Sequence, residues 1–337
     1  MSHALLESVT KHFAGLDDPR RETANRRHEF VDILTIALCA VIGIDPNTFE
    51  TCFVAWVAAL AQSLPGAPVV AIDGKTLRRS HDRANGGMAT HIVSAYANAS
   101  SLVLGQVATA DESNEITAIP TLLDMLALDA ALVTIDAMGC QTAIAEKIVD
   151  RGADYLLAVK ANQRSLSGAI RDAFEDVDTE HFGKPVEQQN IGHGRIEKRR
   201  CWVCSDPEVI EPLSTTWKGI RSLVVIDSER TVVGGERTTE RHHYIGSRAA
   251  TATFFLEARR EHWSVENGLH WVLDVAFRED ESRVRAGDGA ENPSVLRRMA
   301  LNLLKREKTH KGGIEAKRCR AGWDETYMET VLAGLHA

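Results

Sequence analysis

The sequence predicts an α/β chain built on a mixed sheet with flanking helices. Two short apolar runs, PVVAID (68–73) and ALVTID (131–136), each end in an acid. Helical and strand-like patterns alternate between Thr117 and Lys160. From about residue 177 to 248 the pattern changes to short β-like pieces between Gly-rich or polar turns.

The elements follow in order. Residues 26–43 (RRHEFVDILTIALCAVIG) read as a helix with a basic start. Asn47 to Ser63 reads as a second helix, with Phe49, Phe53, Trp56, Val57 and Leu60 at helical spacing. Pro65, Gly66 and Pro68 then break the chain. After the strand 68–73, residues 91–98 and 101–108 pair as a hairpin across a short polar turn. Thr117–Leu128 reads as a helix with Pro120 in its first turn. The strand 131–136 is followed by a helix from Gln141 to Asp150, stopped at Gly152, and by a strand, Tyr155–Lys160. In the β-rich insertion the strand-like pieces are Arg199–Cys204, Arg221–Asp227 and His242–Ile245. Thr253–Val275 and Pro293–Lys305 read as helices, and a short helix lies around 326–335.

Bulk composition bounds the function classes. With 337 residues, the chain can bury a sizeable core as one large domain or two ordinary ones. The longest apolar candidate, Val31 to Ile44, is too short to span a bilayer and contains Asp32. The first ten residues lack the pattern of a signal peptide, and the six cysteines then read as reduced thiols. The expected setting is the cytoplasm, with no membrane partner. The formal net charge of −8 does not favour a nucleic-acid partner, but local patches set DNA affinity more than the total does.

Asp73 and Asp136 share a context: each ends an apolar strand before a small residue and a polar turn. Ligands gather at the carboxyl ends of strands in α/β sheets. If the two strands are neighbours, the carboxylates face each other and need a cation between them. Mg²⁺ prefers a few carboxylates plus water and phosphate oxygens. The plainer role of an Asp at such a place is a turn or a helix cap. Glu266 lies in the predicted helix 253–275, on a stripe with Arg259, His262 and His270. Such a stripe is a solvated face, or it delivers a third carboxylate with Arg259 beside it for a phosphate. Two Mg²⁺ ions can activate the attacking oxygen and stabilise the leaving one in a phosphodiester displacement.

Other motifs are weaker. Gly74-Lys75-Thr76 resembles the end of a phosphate-binding loop, but the required earlier glycine is Val69. Cys201 and Cys204 have zinc-like spacing without a second ligand pair, and read as alternating strand residues. His262, Glu266 and His270 could hold zinc in a hydrolase, which is the second reading. Basic residues cluster from Val295 to Arg320, with nine Lys or Arg against two acids, a local excess of +7. Arg195, Lys198, Arg199 and Arg200 form another cluster, and Lys75, Arg78 and Arg79 a third beside Asp73.

Several ordered motifs resemble one family. AIDGKTLRRS (71–80), VTIDAMGCQ (133–141), GADYLLAVKANQ (152–163), GHGRIEKRR (192–200) and HWSVENGLHWVLDVAFRED (262–280) resemble the H-repeat-associated insertion-sequence transposases. LRRMALNLLKREK (296–308) and AKRCRAGWD (316–324) extend the match over most of the chain. The resemblance implies an RNase H-like catalytic domain with a β-rich insertion before the last acid. It implies a DDE triad at Asp73, Asp136 and Glu266, spaced by 63 and 130 residues. It implies metal-dependent hydrolysis at the element's ends, then attack of the freed 3′-OH on target DNA. The expected cofactor is a pair of Mg²⁺ ions, with Mn²⁺ as a substitute. The expected partners are the terminal repeats, target DNA and a second copy of the chain. Lys75, Lys160, Arg195 and Arg259 are the candidate phosphate contacts.

The expected organisation is a helical N-terminal segment (1–64), a catalytic domain (65–305) with its insertion at about 177–248, and a basic tail (306–337). One departure stands out. Family members carry a longer segment between the LCAVIG helix and the next Asp-Pro, whereas here Gly43 is followed at once by Ile44-Asp45-Pro46. Impaired recognition of the element's ends is therefore expected. The third reading, a DNA-binding remnant without catalysis, follows from the same gap.

Overall fold

The computed structural model describes residues 45–61, 68–81, 88–109, 114–174, 185–192, 194–232, 234–285 and 289–336. The helix expected over 26–43 lies outside them. The chain forms two compact units, one of Leu64–Lys75 with Val93–Leu269, the other of Met1–Ser63, Thr76–Ile92 and His270–Ala337.

The first unit holds a mixed nine-stranded sheet with flanking helices, as the sequence predicts. Its strands are β1 (Val69–Thr76), β2 (His91–Ala97), β3 (Leu102–Ala108), β4 (Leu132–Ile135), β5 (Asp154–Val159), β6 (Val186–Gly192), β7 (Arg195–Cys204), β8 (Ser222–Val232) and β9 (Arg237–Gly246). Their spatial order is β3-β2-β1-β4-β5-β9-β8-β7-β6. β1, β4 and β5 run parallel, and β9 joins β5 antiparallel. The expected insertion is thus a four-stranded antiparallel extension of the same sheet. The predicted hairpin forms between β2 and β3, closed by the Ser101 N–H donating to the Asn98 carbonyl at 2.9 Å.

Among the described residues, α1 (Pro46–Ala61) lies in the second unit, and five helices flank the sheet: α2 (Glu115–Met125), α3 (Thr142–Asp150), α4 (Arg164–Phe174), α5 (Pro207–Ser214) and α6 (Ala252–Val265). α2 starts two residues before the predicted Thr117, because the Asn114 side chain caps it by accepting from the Ile116 N–H at 3.0 Å. Pro120 therefore sits beyond the first turn rather than in it. α3 stops where expected: Gly152 has φ +73°, and an added Cβ would meet Asp129 Oδ1 at 2.8 Å. α4 and α5 were not predicted. α6 packs on β4, β7 and β8. Its Phe255, Leu256 and Ala258 enter a core with Leu132, Leu156, Cys201, Val224, Ile226 and Tyr244.

The second unit contains α1 (Pro46–Ala61), α7 (Trp271–Phe277), α8 (Glu291–Arg306), α9 (Ile314–Trp323) and α10 (Glu325–Leu332). Asp45 starts α1 by accepting from Thr48 N and Oγ1 at 2.8 and 2.7 Å. Leu303, Leu304, Tyr327 and Val331 form a small core with Trp56 and Phe277 against it. Buried Glu279 binds Arg298 at 3.0 Å. No helix among the described residues is long and apolar enough to cross a membrane.

Because Phe255 is fully buried where α6 meets the sheet, Phe255→Ala should cost about 3–5 kcal/mol of stability. Urea unfolding checks this, and a loss well under 1 kcal/mol would mean that α6 is not anchored there.

Candidate active site

The candidate site lies wholly within the first unit. β1 and β4 pair in parallel, with Val69 opposite Leu132 and Ile72 opposite Ile135. Asp73 and Asp136 are the next residues on each strand, so they continue one register on one side of the sheet. Neighbouring strands are about 4.8 Å apart. Two ionised carboxylates at that range repel by about 1 to 4 kcal/mol between bulk water and a protein surface. β1 does not end at Asp73 as predicted but runs on to Thr76. Beyond Asp73 it gains partners elsewhere, including Thr76 Oγ1 with His91 Nδ1 at 2.8 Å.

Asp136 also does what an Asp after a strand commonly does. Its Oδ1 accepts from the Met138 and Gly139 N–H groups at 2.9 and 3.4 Å, and Oδ2 takes neither bond. Two side chains that the sequence reading passed over hold this turn. Asn162 Nδ2 donates to the Ala137 carbonyl at 2.7 Å, and Gln163 Nε2 donates to the Cys140 carbonyl at 2.8 Å. Both follow Lys160 at the end of β5. Gly139 is required, since a Cβ there would collide with the Ile135 side chain and meet Ile119 Cδ1 at 3.0 Å. The Cys140 thiol, pushed up to about 12 by burial and by Asp136, is not a nucleophile.

The two aspartates open onto a cavity of about 430 Å³. α6 forms one wall with Arg259, His262, Trp263 and Val265, and Glu266 follows directly after it. Lys160, Glu240, His242 and Tyr244 face in from β5 and β9. His262 Nδ1 lies 3.0 Å from Thr134 Oγ1. Burial lowers the proton affinity of His262, and Arg259 adds to that, while Asp73 and Asp136 oppose it. Arg259 is only 8% exposed, and its Nε donates to Tyr244 Oη at 2.9 Å. Of the stripe read either as a solvated face or as the carrier of a third carboxylate, Arg259 and His270 are buried, His262 is half-buried and Glu266 is exposed. Burial also lowers the proton affinity of His242, with Arg259 and Lys160 contributing and Glu240 opposing.

The sequence-predicted phosphate contacts separate. Lys160 and Arg259 line the cavity. Lys75 is buried in β1 and is not on the cavity wall. Arg195 opens β7, where its Nε lies 2.7 Å from Glu197 Oε1, and it does not line the cavity. Lys160 and Arg259 carried signals in the sequence, but His242 and Tyr244 did not, because only strand pairing across 84 to 90 residues brings β9 beside β5.

Among the described residues, no three His, Cys, Asp or Glu side chains are gathered so that they could hold one metal ion. Neither His262, Glu266 and His270 nor Asp73, Asp136 and Glu266 are gathered in that way. Glu266–His270 is a π-helical turn, which breaks the four-residue spacing that the zinc reading needed. Asp73, Asp136 and Glu266 line one cavity without being closed around one point. As a donor set, three carboxylates without a thiol suit a hard divalent ion.

Comparison with known proteins decides the family. Residues 64–303 match the transposase DDE domain. The chain belongs to the DDE transposase family. A relative in the family, the H repeat-associated putative transposase YhhI of Escherichia coli K12, is 36% identical over 376 residues, 98% of each chain. The putative transposase YncI of Escherichia coli O157:H7 is 43% identical, over 87% of this chain and 76% of its own. The protein YbfL of Escherichia coli K12 is 41% identical, over 86% and 78%. A piggyBac transposase synaptic complex with hairpin DNA covers 99% of this chain and 71% of its own at 10% identity and TM-score 0.44, too slight a likeness to argue from. DDE transposase domains generally use divalent metal ions.

The Asp136 turn yields a stability prediction. Asn162→Ala should cost about 1 kcal/mol, and Gly139→Ala about 1–3 kcal/mol through overpacking against Ile135. Urea unfolding measures both. Wild-type stability in the two variants would show that nothing holds the turn.

Proposed function

We propose that this DDE transposase cuts DNA at the ends of an insertion sequence and joins the freed 3′-OH to target DNA, with Asp73, Asp136 and Glu266 as its catalytic acids. The observation that carries this reading is that Asp73 and Asp136 directly follow the paired residues Ile72 and Ile135 of adjacent parallel strands and line one cavity with Glu266. The acids would hold two Mg²⁺ ions, with Mn²⁺ as a substitute, and bound divalent ions supply charge neutralisation at the phosphate and a more acidic attacking hydroxyl.

The chain's own residues prepare the site for that. β1 and β4 hold two carboxylates side by side, and the Asn162–Gln163 clamp limits how far Asp136 can swing. α6 brings Glu266 to the opposite wall. Arg259, held through Tyr244, and Lys160 present positive charge to an incoming phosphate. In the first step a water oxygen bonds to phosphorus, the bond to the 3′-oxygen breaks, and that oxygen takes a proton. In the second step the 3′-oxygen bonds to a target phosphorus, its proton is lost, and the target's own 3′-oxygen leaves. No covalent enzyme–DNA bond forms. Two ends must be paired, so the working form is proposed to be a homodimer, acting on DNA in the cytoplasm.

Asp73→Asn should abolish Mg²⁺-dependent cleavage of the flanking repeats while leaving the fold and most DNA binding in place. A cleavage assay with circular dichroism as the control reads this, and undiminished cutting would remove the central claim.

The alignment to YhhI runs over 376 residues, although this chain has 337. The relative therefore carries residues with no counterpart here. We infer that specific recognition of the element's ends is impaired while the acids are retained. A gel shift on terminal repeats against random DNA should show little preference, and strong preference for the repeats would sink this inference.

A further inference from the structure

The basic cluster between Val295 and Arg320 is not one kind of surface. Four of its nine cations are taken up inside the second unit. Arg298 and Arg297 turn to Glu279 at 3.0 and 3.8 Å. Lys317 Nζ donates to the Leu304 carbonyl at 3.0 Å and to the Glu307 carbonyl, and lies 3.6 Å from Glu307 Oε2. Arg320 pairs with Asp324 at 3.0 Å and lies over the Tyr327 ring at 4.6 Å. Four others, Arg306, Lys308, Lys311 and Arg318, pair with no acid among the described residues.

These four surround a fixed loop. Residues 307–313 join α8 to α9, and Glu307 is the loop's anchor. Its carboxylate accepts from Thr309 N and Oγ1, from His310 N at 3.3 Å and from Tyr327 Oη at 2.6 Å. His310 packs edge-on against Tyr327 at 5.9 Å. Arg306 ends α8, Lys308 and Lys311 project from the loop, and Arg318 is exposed on α9. Lys308 stands close enough to Lys305 to help burial bring the Lys305 ammonium down to about 8. Cations without a protein carboxylate, on an anchored backbone, favour an anionic partner. A preformed loop also leaves less to be ordered on binding.

We propose that Arg306, Lys308, Lys311 and Arg318 form a contact surface for the phosphate backbone of duplex DNA, presented by the Glu307-anchored loop. This rests on reading the chain as an enzyme that acts on DNA, but it uses none of the catalytic acids. The surface contacts phosphates only, so it adds affinity without sequence preference.

The test is fluorescence anisotropy with the full chain and a labelled random-sequence duplex, without divalent metal, over a series of salt concentrations. Each lost phosphate contact should lower the slope of log K against log salt by about 0.9. The double variant Lys308→Gln/Lys311→Gln should therefore lose about 1.8 of that slope. Lys308→Arg/Lys311→Arg should keep it, and so should Arg237→Gln, which removes an exposed cation already paired with Glu229 at 2.6 Å. Tyr327→Phe, which frees one bond to Glu307, should weaken binding several-fold. An unchanged slope in the double Gln variant overturns the proposal, as does an equal loss in Arg237→Gln. Wild-type affinity in Tyr327→Phe overturns the role given to the loop. Failure of metal-dependent cleavage, with the slope changes intact, would count against the proposed activity alone.

Discussion

The parallel pairing of β1 with β4 is the constraint on which the site depends. Because side chains alternate along a strand, a slip of one residue would turn Asp73 or Asp136 to the opposite face. The register is held by what would have to be exposed. Val70, Ile72, Val133 and Ile135 are all buried in this register. The alternate positions Ala71, Leu132 and Thr134 are buried as well, so both strands are covered on both faces, and each large apolar side chain brought to water would cost about 1.5–3 kcal/mol. The repulsion of about 1 to 4 kcal/mol between the two acids is small beside that sum. The sheet can therefore hold together a pair of charges that would not choose to be neighbours.

Glu266, proposed as the third acid, depends on the same sheet by a longer route. α6 needs an apolar floor, and β4 and β5 alone supply only part of it. β7, β8 and β9 complete it with Cys201, Val224, Ile226 and Tyr244. This gives the insertion between Asp136 and Glu266 a structural purpose that its position in the chain does not reveal. It widens the sheet until a helix can lie on it with one face buried and the next face on the cavity. Tyr244 serves both purposes, packing in that core and accepting the bond from Arg259.

Much of this was legible in the sequence, where the signal was local. The apolar runs ending in Asp73 and Asp136 marked two strands, Gly152 marked a helix end, and the turn-rich stretch marked the insertion. The helix α4 was missed because its buried side is thin: Leu166, Ile170 and Phe174 at four-residue spacing among polar neighbours. α9 was missed because one of its anchoring residues is a lysine, Lys317, bonded to carbonyls of the preceding segment. Arg259 was read as a phosphate contact, but its burial was not legible, because nothing nearby in sequence could satisfy a buried guanidinium; its partner is a tyrosine on another element. That Asp73 and Asp136 follow neighbouring apolar strands could be read from the chain, but the Asn162–Gln163 clamp on the Asp136 turn could not. It needs β4 and β5 to be adjacent before 23 to 25 residues of separation become contact.

The charge distribution explains how an acidic chain can work on a polyanion. With a net charge of −8, its long-range field opposes DNA. Salt screens that field beyond roughly 8–10 Å, so the balance is settled by cations that stand at the surface without a protein carboxylate. The insertion supplies few of these. Arg195 and Arg199 share Glu197, Arg200 meets Glu187, Arg237 meets Glu229 and Arg241 meets Asp227. Those pairs lie across or along the β6–β9 ladder, and each is worth little at an exposed position. Their effect is to cancel a field that the sequence, read as a count of arginines, would credit to DNA binding. The cavity lining carries both signs, with Asp73, Asp136, Glu240 and Glu266 beside Lys160 and Arg259. A phosphate near Asp73 and Asp136 meets like charge there, so attraction for it comes from these two cations and not from the chain's net charge.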